Sequence, residues 1–461
     1  MQTIGKIAGL LCLVCCAHGA GSAPGEPHQG GIAHYSVTIF DNLLGARVRA
    51  CFQGLALSAL VPIDRSAVEQ LRGAWVDSIP QQTSDGRILL GQQPPPACVE
   101  YETRFERSPF GPEDSSAVVL SQTQWLWRPE PFPGQLSTSV RFTVPSAGQV
   151  SLPWPHSSGA YRPSRDAFFV ETFGVFGAFD QQAFSVAGTR LEIARLGGTP
   201  VDGDIRRWLS RAVQTTASVG GRFPRDRLQF VIIPVDGRGA DVAFGMVRRG
   251  GGSSILLLPS VAARVADLEA DWVAIHELSH LWLPRLHAKD RWLSEGVATY
   301  LQEVLRARCG LQSSERAWTR IREGFARGRR SGSGQPLSDE SRTMNRTGEY
   351  QRVYWAGTAF ALEIDLRLRR HSNGESTLLT VLSDAQRDWQ QETRLVSASR
   401  VLAALERASG ANFIVALGEQ YAASAKFPDT SYLGSPEYDD LRAQISAPAH
   451  HGCTVIDESS Q

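Results

Sequence analysis

Hydrophobic and polar residues alternate in short runs between about residues 30 and 160. Examples are residues 37–39, 48–50, 118–120 and 139–144, and clusters of proline and glycine separate them. Alternation with a period of two is typical of strands that bury one face, and proline and glycine mark the turns between strands. The pattern predicts a sandwich-like β domain over residues 24–165.

The pattern changes after this region. From about residue 165 to 260, helical and strand patterns alternate, with a helix predicted over 204–219 and a buried strand over 228–234. Residues 350–425 show helical periodicity. The chain is therefore predicted to be an α+β multidomain protein: an N-terminal β domain, a mixed part over 166–345, a helical domain over 346–445 and a loose tail over 446–461.

Two histidines lie on one strongly apolar helical segment. Residues 266–283 contain no glycine or proline and end before Pro284, which predicts one helix. Residues four apart lie one turn apart on the same face, so His276 and His280 can share one tetrahedral zinc ion. Glu277 is about 100° around the helix from His276. It is poorly placed to bind the same ion but can reach a water on it, as a general base must.

A catalytic zinc needs a third protein ligand and one open position. A second apolar helix is predicted over 291–305, after a short connection. In an antiparallel helix pair Glu295 would lie level with His280, and Gly296 has no side chain to keep the helices apart. His287, in the connection, is the alternative ligand; we favour Glu295.

These motifs resemble those of the gluzincin zinc metallopeptidases of the MA clan, most closely the M1 aminopeptidase and M61 glycyl aminopeptidase branches. Residues 276–282 (HELSHLW) resemble the family's HExxH-x-W segment, and residues 292–300 (WLSEGVATY) resemble its WLxEGxAxY helix. The resemblance implies a thermolysin-like zinc catalytic domain over 166–345. It also implies one zinc ion (Zn2+) per chain, held by His276, His280 and Glu295.

A further match lies downstream. Residues 354–357 (YWAG), followed by a helical run, resemble the family's Y-x-K-G segment. The resemblance implies that Tyr354 donates a hydrogen bond to the oxyanion of the reaction. Tyr350 is an alternative donor. A further alternative is that both tyrosines are ordinary packing residues. The family's lysine is replaced by Ala356.

Two departures from the family bear on specificity. Fourteen residues separate His280 from Glu295, fewer than in M1 members, which a shorter loop explains. The GxMEN strand of M1 aminopeptidases, whose glutamate holds the substrate amine, corresponds to residues 244–248, with Val247 in the place of that glutamate. The arginines at 248 and 249 would repel an amine, so the sequence favours a non-aminopeptidase while leaving the choice unresolved.

Two glycine-rich segments have open interpretations. Residues 248–258 form either a strand that pairs with an extended substrate or, through the glycines at 250–252, a bulge or loop before a strand at 254–258. Residues 324–336 place arginines among glycines and serines. They predict a mobile loop. The simpler interpretation is a solvated loop, and the alternative is a loop that borders the cleft and favours acidic substrates.

The predicted function is that of a zinc metallopeptidase. A metal-activated water would hydrolyse peptide bonds of a peptide or protein substrate, with Glu277 as general base and Tyr354 as oxyanion stabiliser. Two alternatives remain: a zinc hydrolase acting on a non-peptide substrate, and a catalytically silent binding protein with the same fold.

Composition excludes other classes of partner. The 461 residues carry 47 basic and 47 acidic side chains, so nothing indicates nucleic-acid binding. Lys6 and the apolar run 7–16, followed by small residues, predict a signal peptide over 1–23, too short to span a membrane. We therefore expect a periplasmic or secreted bacterial protein without stable membrane insertion. A lipoprotein modified at Cys16 is an alternative with a poor consensus sequence.

The predicted mature chain keeps four cysteines. An even number in an exported protein indicates two disulfides, although free buried thiols are an alternative. Three pairings are possible, and proximity in sequence favours Cys51–Cys98 and Cys309–Cys453.

Overall fold

The computed structural model describes residues 30–93, 97–107, 116–145, 148–197, 202–236, 239–390, 392, 394–449 and 453. The predicted signal peptide and the alternative lipid-modified Cys16 lie outside these residues.

The N-terminal part is built of β-sheets, as the alternating pattern predicts. Its elements are β1 (Gly31–Ile39), β2 (Gly45–Gln53), β3 (Leu57–Val61), α1 (Ser66–Gln70), β4 (Leu71–Val76), β5 (Ile79–Pro80), β6 (Thr83–Ser84), β7 (Arg87–Gln93), β8 (Ala97–Arg104), β9 (Ala117–Ser121), β10 (Arg128–Glu130), β11 (Leu136–Thr143), β12 (Gln149–Ser151), β13 (His156–Ser157), β14 (Ala160–Tyr161) and β15 (Phe173–Gly177). Burial alternates residue by residue along β1, so one face of that strand packs on a core.

These strands form three sheets. The largest has the order β13-β14-β11-β1-β2-β8-β4-β5, the second β10-β3-β7-β6 and the third β12-β15-β9. Their shared core contains the fully buried rings of Trp125, Trp127 and Trp154.

A five-stranded mixed sheet follows. Its elements are β16 (Asp180–Val186), β17 (Thr189–Arg195), α2 (Asp202–Ala217), β18 (Arg227–Ile232), β19 (Val242–Arg248) and β20 (Ser254–Pro259). In the order β16-β17-β18-β20-β19, the three central strands are parallel and the two edge strands are antiparallel to their neighbours. The edge strand β19 is the one that packs beside the histidine-bearing helix.

The rest of the chain is helical. Its helices are α3 (Val265–Ala270), α4 (Val273–Ser279), α5 (Arg291–Arg308), α6 (Ser314–Arg330), α7 (Leu337–Thr347), α8 (Tyr350–His371), α9 (Leu378–Ala385), α10 (Ala398–Ser409), α11 (Ile414–Ala423) and α12 (Asp439–Ser446). The predicted α+β class, with N-terminal sheets, a mixed sheet and a helical C-terminal part, is confirmed. Among the described residues no helix is long and apolar enough to cross a membrane.

The single helix predicted over 266–283 is wrong. Asp271 is extended, with ψ 154°, and ends α3, and its Oδ1 accepts a 2.7 Å hydrogen bond from the Val273 N–H at the start of α4. A side chain that accepts from the backbone two residues on competes with helix continuation. After Ser279 the α-helix ends and a 3-10 turn follows at His280–Trp282.

The loop predicted over 324–336 is also wrong for its first half, because α6 continues to Arg330. A Cβ on Gly324 would lie 2.3 Å from the Trp355 ring, and one on Gly328 would lie 2.3 Å from the ring of Phe427. The glycines therefore make room for aromatic rings and do not loosen the chain.

The glycines at 250–252 belong to the turn between β19 and β20, so the loop interpretation is correct and a continuous strand over 248–258 is not formed. A Cβ on Gly250 would lie 2.1 Å from the Val170 carbonyl, and Trp154 Nε1 donates to the Gly250 carbonyl at 2.7 Å. The turn thus connects the five-stranded sheet to the N-terminal part.

Both predicted disulfides are present. Cys51 and Cys98 lie directly opposite each other on β2 and β8. The bond between Cys309 and Cys453 ties the chain's tail to the end of α5.

Candidate metal centre

His276, His280 and Glu295 come together as predicted. Among the described residues they form a group whose possible ligand atoms all lie within 4.8 Å of one another. Each histidine Nε2 is 3.4 Å from Glu295 Oε2. His287, the alternative third ligand, is exposed and lies outside this group.

The two histidines are supplied by α4 and the turn after it, and Glu295 by the second turn of α5. Their approach is completed by α8, which crosses α5 at a pair of glycines. A Cβ on Gly296 would lie 2.1 Å from the Gly357 carbonyl carbon, and one on Gly357 would lie 2.0 Å from the Trp292 carbonyl oxygen. Only glycine permits the backbones to come this close, so the crossing fixes α8 directly over Glu295.

Both histidine rings are held through their other nitrogen. His276 Nδ1 lies 2.8 Å from Gln302 Oε1, and His280 Nδ1 lies 2.9 Å from Ser294 Oγ. When Nδ1 carries the proton and donates it to these oxygens, each Nε2 presents its lone pair to a metal. The Gln302 amide in turn donates to Glu303, which is almost fully buried.

Sequence reasoning missed Gln302 and Ser294. A signal existed: Gln302 is seven residues after Glu295, two turns along the same face of α5. Spacing alone does not tell which polar residue on that face reaches a histidine of another helix.

The residues fit a zinc ion. Glu295 Oε2 is buried and has no hydrogen-bond partner among the described residues, which leaves an oxygen aimed at the two Nε2 atoms. Burial alone would raise the pKa of Glu295, but His280 and His276 hold it well below its usual range, so the carboxylate is charged. Two imidazoles and one carboxylate with a further open side are the donor set of a catalytic zinc.

Glu277 is next to this group, and its carboxylate lies toward the edge strand β19. A Cβ on Gly245 of β19 would lie 3.3 Å from Glu277 Oε1, so the carboxylate is against the edge strand. The Val247 backbone N–H is near enough to this carboxylate to act against a rise in its pKa. Burial is the main cause that raises the pKa of Glu277. The charge of Glu295 raises it further, whereas His280 and His276 lower it. A carboxylate with a raised pKa is a better proton acceptor at neutral pH.

The structure separates the two candidate tyrosines. The Tyr354 ring stacks at 6.0 Å on His276, and its hydroxyl lies near enough to Glu295 for that carboxylate to raise its pKa. Burial, followed by the two nearby glutamates, raises the pKa of Tyr354, so the hydroxyl remains a donor. Tyr350 stacks edge-on against Tyr354 from outside and is 38% exposed.

Among the clefts lined by described residues, two that border the centre are of interest. One, of about 700 Å3, is lined by Trp272, Thr299, Gln302 and Tyr354 among others. The other, of about 370 Å3, includes His280, Ser294, Glu295 and Val247. An extended molecule that passes the three ligands can therefore be accommodated on both sides of them.

Several solved structures share this fold. An aminopeptidase N family protein from Idiomarina loihiensis matches with a TM-score of 0.65 and 19% identity, over 87% of this chain and 77% of its own. An M1 zinc metallopeptidase from Deinococcus radiodurans matches with a TM-score of 0.53 and 17% identity, over 88% and 96%. Yeast LTA4 hydrolase matches with a TM-score of 0.51 and 11% identity, over 86% and 68%.

These likenesses show that the chain has the fold of the M1 zinc metallopeptidases, and the fold implied by the sequence motifs is confirmed. A variant of the Deinococcus radiodurans protein was solved with a Tyr-Ser-Ala substrate. No protein-family model matches the sequence, and a search of curated proteins finds no match.

Proposed function

We propose that this protein is a zinc metallopeptidase that hydrolyses peptide bonds. One observation carries the proposal: two imidazoles and a charged carboxylate converge within 4.8 Å, next to a buried glutamate that is not one of them. A metal-assisted hydrolase requires these groups: ligands for the metal and a separate general base. The shared fold with zinc metallopeptidases makes a peptide the favoured substrate.

Each residue then has a distinct part. When bound by His276, His280 and Glu295, zinc supplies a Lewis acid and makes water more acidic. Glu277 accepts the proton of the attacking water and passes it to the leaving amine. The Tyr354 hydroxyl donates a hydrogen bond to the carbonyl oxygen as negative charge develops on it.

The edge strand β19 offers a second means of binding. It is an edge strand of its sheet and packs beside α4, and Glu277 of α4 lies against it at Gly245. Backbone groups of such an edge can pair with an extended peptide and hold its scissile bond near Glu277. Because Val247 itself has no charge, this strand provides no carboxylate for a free amine.

The first experiment measures zinc in the purified protein by mass spectrometry. We expect about one ion per chain, lost in Glu295→Ala and kept in His287→Ala. Zinc that survives Glu295→Ala would contradict the ligand assignment.

The second experiment measures hydrolysis of a peptide library by wild type and Glu277→Gln, both with zinc confirmed. We expect cleavage by wild type and a loss of at least about a hundredfold in the variant, the typical contribution of a general base. Cleavage of N-acetylated peptides would identify an endopeptidase, and a requirement for a free amine would identify an aminopeptidase. A zinc-loaded wild type that cleaves no peptide would shift the assignment to a non-peptide hydrolase or a binding protein.

We also propose that the protein is exported to the periplasm or beyond. The N-terminal pattern supports this, as do the two disulfides, which persist in oxidising compartments.

A further inference from the structure

The smaller of the two clefts beside the metal centre has an unusual charge distribution. Its lining includes four arginines, which are Arg248, Arg249, Arg285 and Arg291. Its described acidic lining residues are Glu171 and the metal ligand Glu295. The cleft is therefore positive before any substrate enters it, and becomes more so when a divalent cation occupies the centre.

Two of the four arginines already have partners. Arg248 forms a 2.7 Å ion pair with Glu171. Arg249 donates to the carbonyls of Leu283 and His280, so it holds the end of the histidine-bearing segment. Burial lowers the pKa of Arg249 to about 9, and this residue acts as a structural cation.

The other two arginines are unpaired. Among the described residues neither Arg285 nor Arg291 has an ion-pair partner or a side-chain hydrogen bond, although both are partly buried. Burial lowers the pKa of Arg285, and the charge of Asp166 partly offsets this effect. Two partly buried guanidinium groups that line one half-enclosed space without an ion-pair partner are costly to desolvate, and a ligand with a negative charge would offset that cost.

Their position relative to the centre is fixed by the backbone. Arg291 is the first residue of α5 and lies four residues before Glu295, so both project from the same face one turn apart. Arg285 follows the 3-10 turn that contains His280. A group held by these two arginines would thus lie within about one residue or two of a bond positioned at the metal.

We infer that Arg285 and Arg291 form a carboxylate-binding subsite, which selects peptides that carry a carboxylate beside the bond to be cleaved. A planar guanidinium matches a carboxylate in two parallel hydrogen bonds. The carboxylate comes either from an Asp or Glu side chain or from the peptide's C-terminus. The inference rests on the proposed peptidase function in one respect, which is that the ligand carrying the carboxylate is a peptide.

Binding to the zinc-loaded Glu277→Gln variant tests the inference without requiring turnover. Labelled peptides that differ only in Glu or Gln, both with amidated C-termini, are compared by fluorescence anisotropy. A second pair has no acidic side chain and differs only in a free or amidated C-terminus. We expect one of the two carboxylates to tighten binding by about tenfold to a hundredfold, the usual effect of a charged hydrogen-bonded pair. Which pair responds identifies the source of the carboxylate.

Arginine variants made on the same background show whether the preference arises in this cleft. Arg291→Met and Arg285→Met keep much of the apolar stem and are expected to abolish the preference, and Arg291→Glu is expected to reverse it toward a lysine peptide. Arg346→Met is the matched control, because Arg346 is exposed on α7 and lines neither cleft described above. Zinc content and melting temperature confirm that each variant is folded.

The outcomes separate this inference from the proposed function. Equal binding of all four peptides, or a preference that survives both methionine variants, would overturn the inference. Cleavage of neutral and acidic peptides by wild type at equal rates would also overturn it while supporting the peptidase function. A carboxylate preference in Glu277→Gln without cleavage by wild type would support the subsite and contradict the peptidase function.

Discussion

Replacing Gly296 with alanine tests whether the close crossing of α5 and α8 positions the catalytic groups. A Cβ at this position would lie 2.1 Å from the Gly357 carbonyl carbon, whereas ordinary contact begins near 3.4 Å. The nearest obstructing atoms all belong to the Gly357 backbone, so a side-chain rotation cannot relieve the clash. The helices must therefore part by about 1.3 Å or bend locally.

The separation of the helices would displace two residues with proposed roles at once. Glu295 immediately precedes Gly296, and Tyr354 is three residues before Gly357. Overpacking of this kind costs about 1–3 kcal/mol of unfolding free energy. A displacement of about 1 Å in a catalytic group costs on the order of a hundredfold in rate. We expect Gly296→Ala to fold, with a lower melting temperature, and to lose about a hundredfold in kcat/KM against the best library peptide.

The assay requires two comparisons. Gly357→Ala forces the same helices apart from the other side and should reproduce the loss. Gly418→Ala is the matched control: its Cβ would meet the tip of the Leu402 side chain, which can rotate, in a helix that contributes nothing to the centre. If Gly296→Ala binds zinc and keeps kcat/KM within about twofold of wild type, the helix crossing does not position Tyr354.

Two further predictions concern residues around the centre. Gln302→Leu removes the acceptor of His276 Nδ1, so zinc affinity measured by chelator competition should fall about 10–100-fold; an unchanged affinity would exclude this role. Burial raises the pKa of Asp271 from 3.8 to about 6, so the folded state binds its proton more tightly and stability is lost as pH rises from 4 to 7. Asp271→Asn should therefore raise the unfolding free energy at pH 7.5, by at most about 3 kcal/mol in urea titrations, and not at pH 4; a destabilisation at pH 7.5 would refute this.

The convergence of His276, His280 and Glu295 was predictable because the geometry of the two histidines is local. The four-residue spacing of His276 and His280 places them on one face of any helix, and a carboxylate early in the next apolar helix can approach that face when the two helices pack together. The break at Asp271 did not affect this result, since it lies before the first histidine. The prediction thus survived an error in the helix that carries it.

The surroundings of the ligands were not predictable in the same way. Whether Gln302 or a neighbour meets His276 depends on the angle and rotation of α5 against α4, which are set by packing across several helices. Arg285 and Arg291 look like ordinary surface charges in the sequence. Their lack of partners is visible only when the whole cleft, including residues from the N-terminal part, is assembled.

Two glycines show why the role of a glycine is hard to predict from the neighbouring residue types and becomes clear from the contacts in the structure. A glycine in the sequence indicates either a flexible backbone or a close approach of another group, and these have opposite consequences. Gly296 was predicted to permit a close helix approach because it has no side chain, whereas the segment 324–336, which begins at Gly324, was predicted to be mobile because its arginines lie among glycines and serines. In the structure both are helix positions where another residue presses on the backbone. The Trp355 ring that presses on Gly324 belongs to α8, so the misread glycine helps to seat the same helix that carries Tyr354 to Glu295.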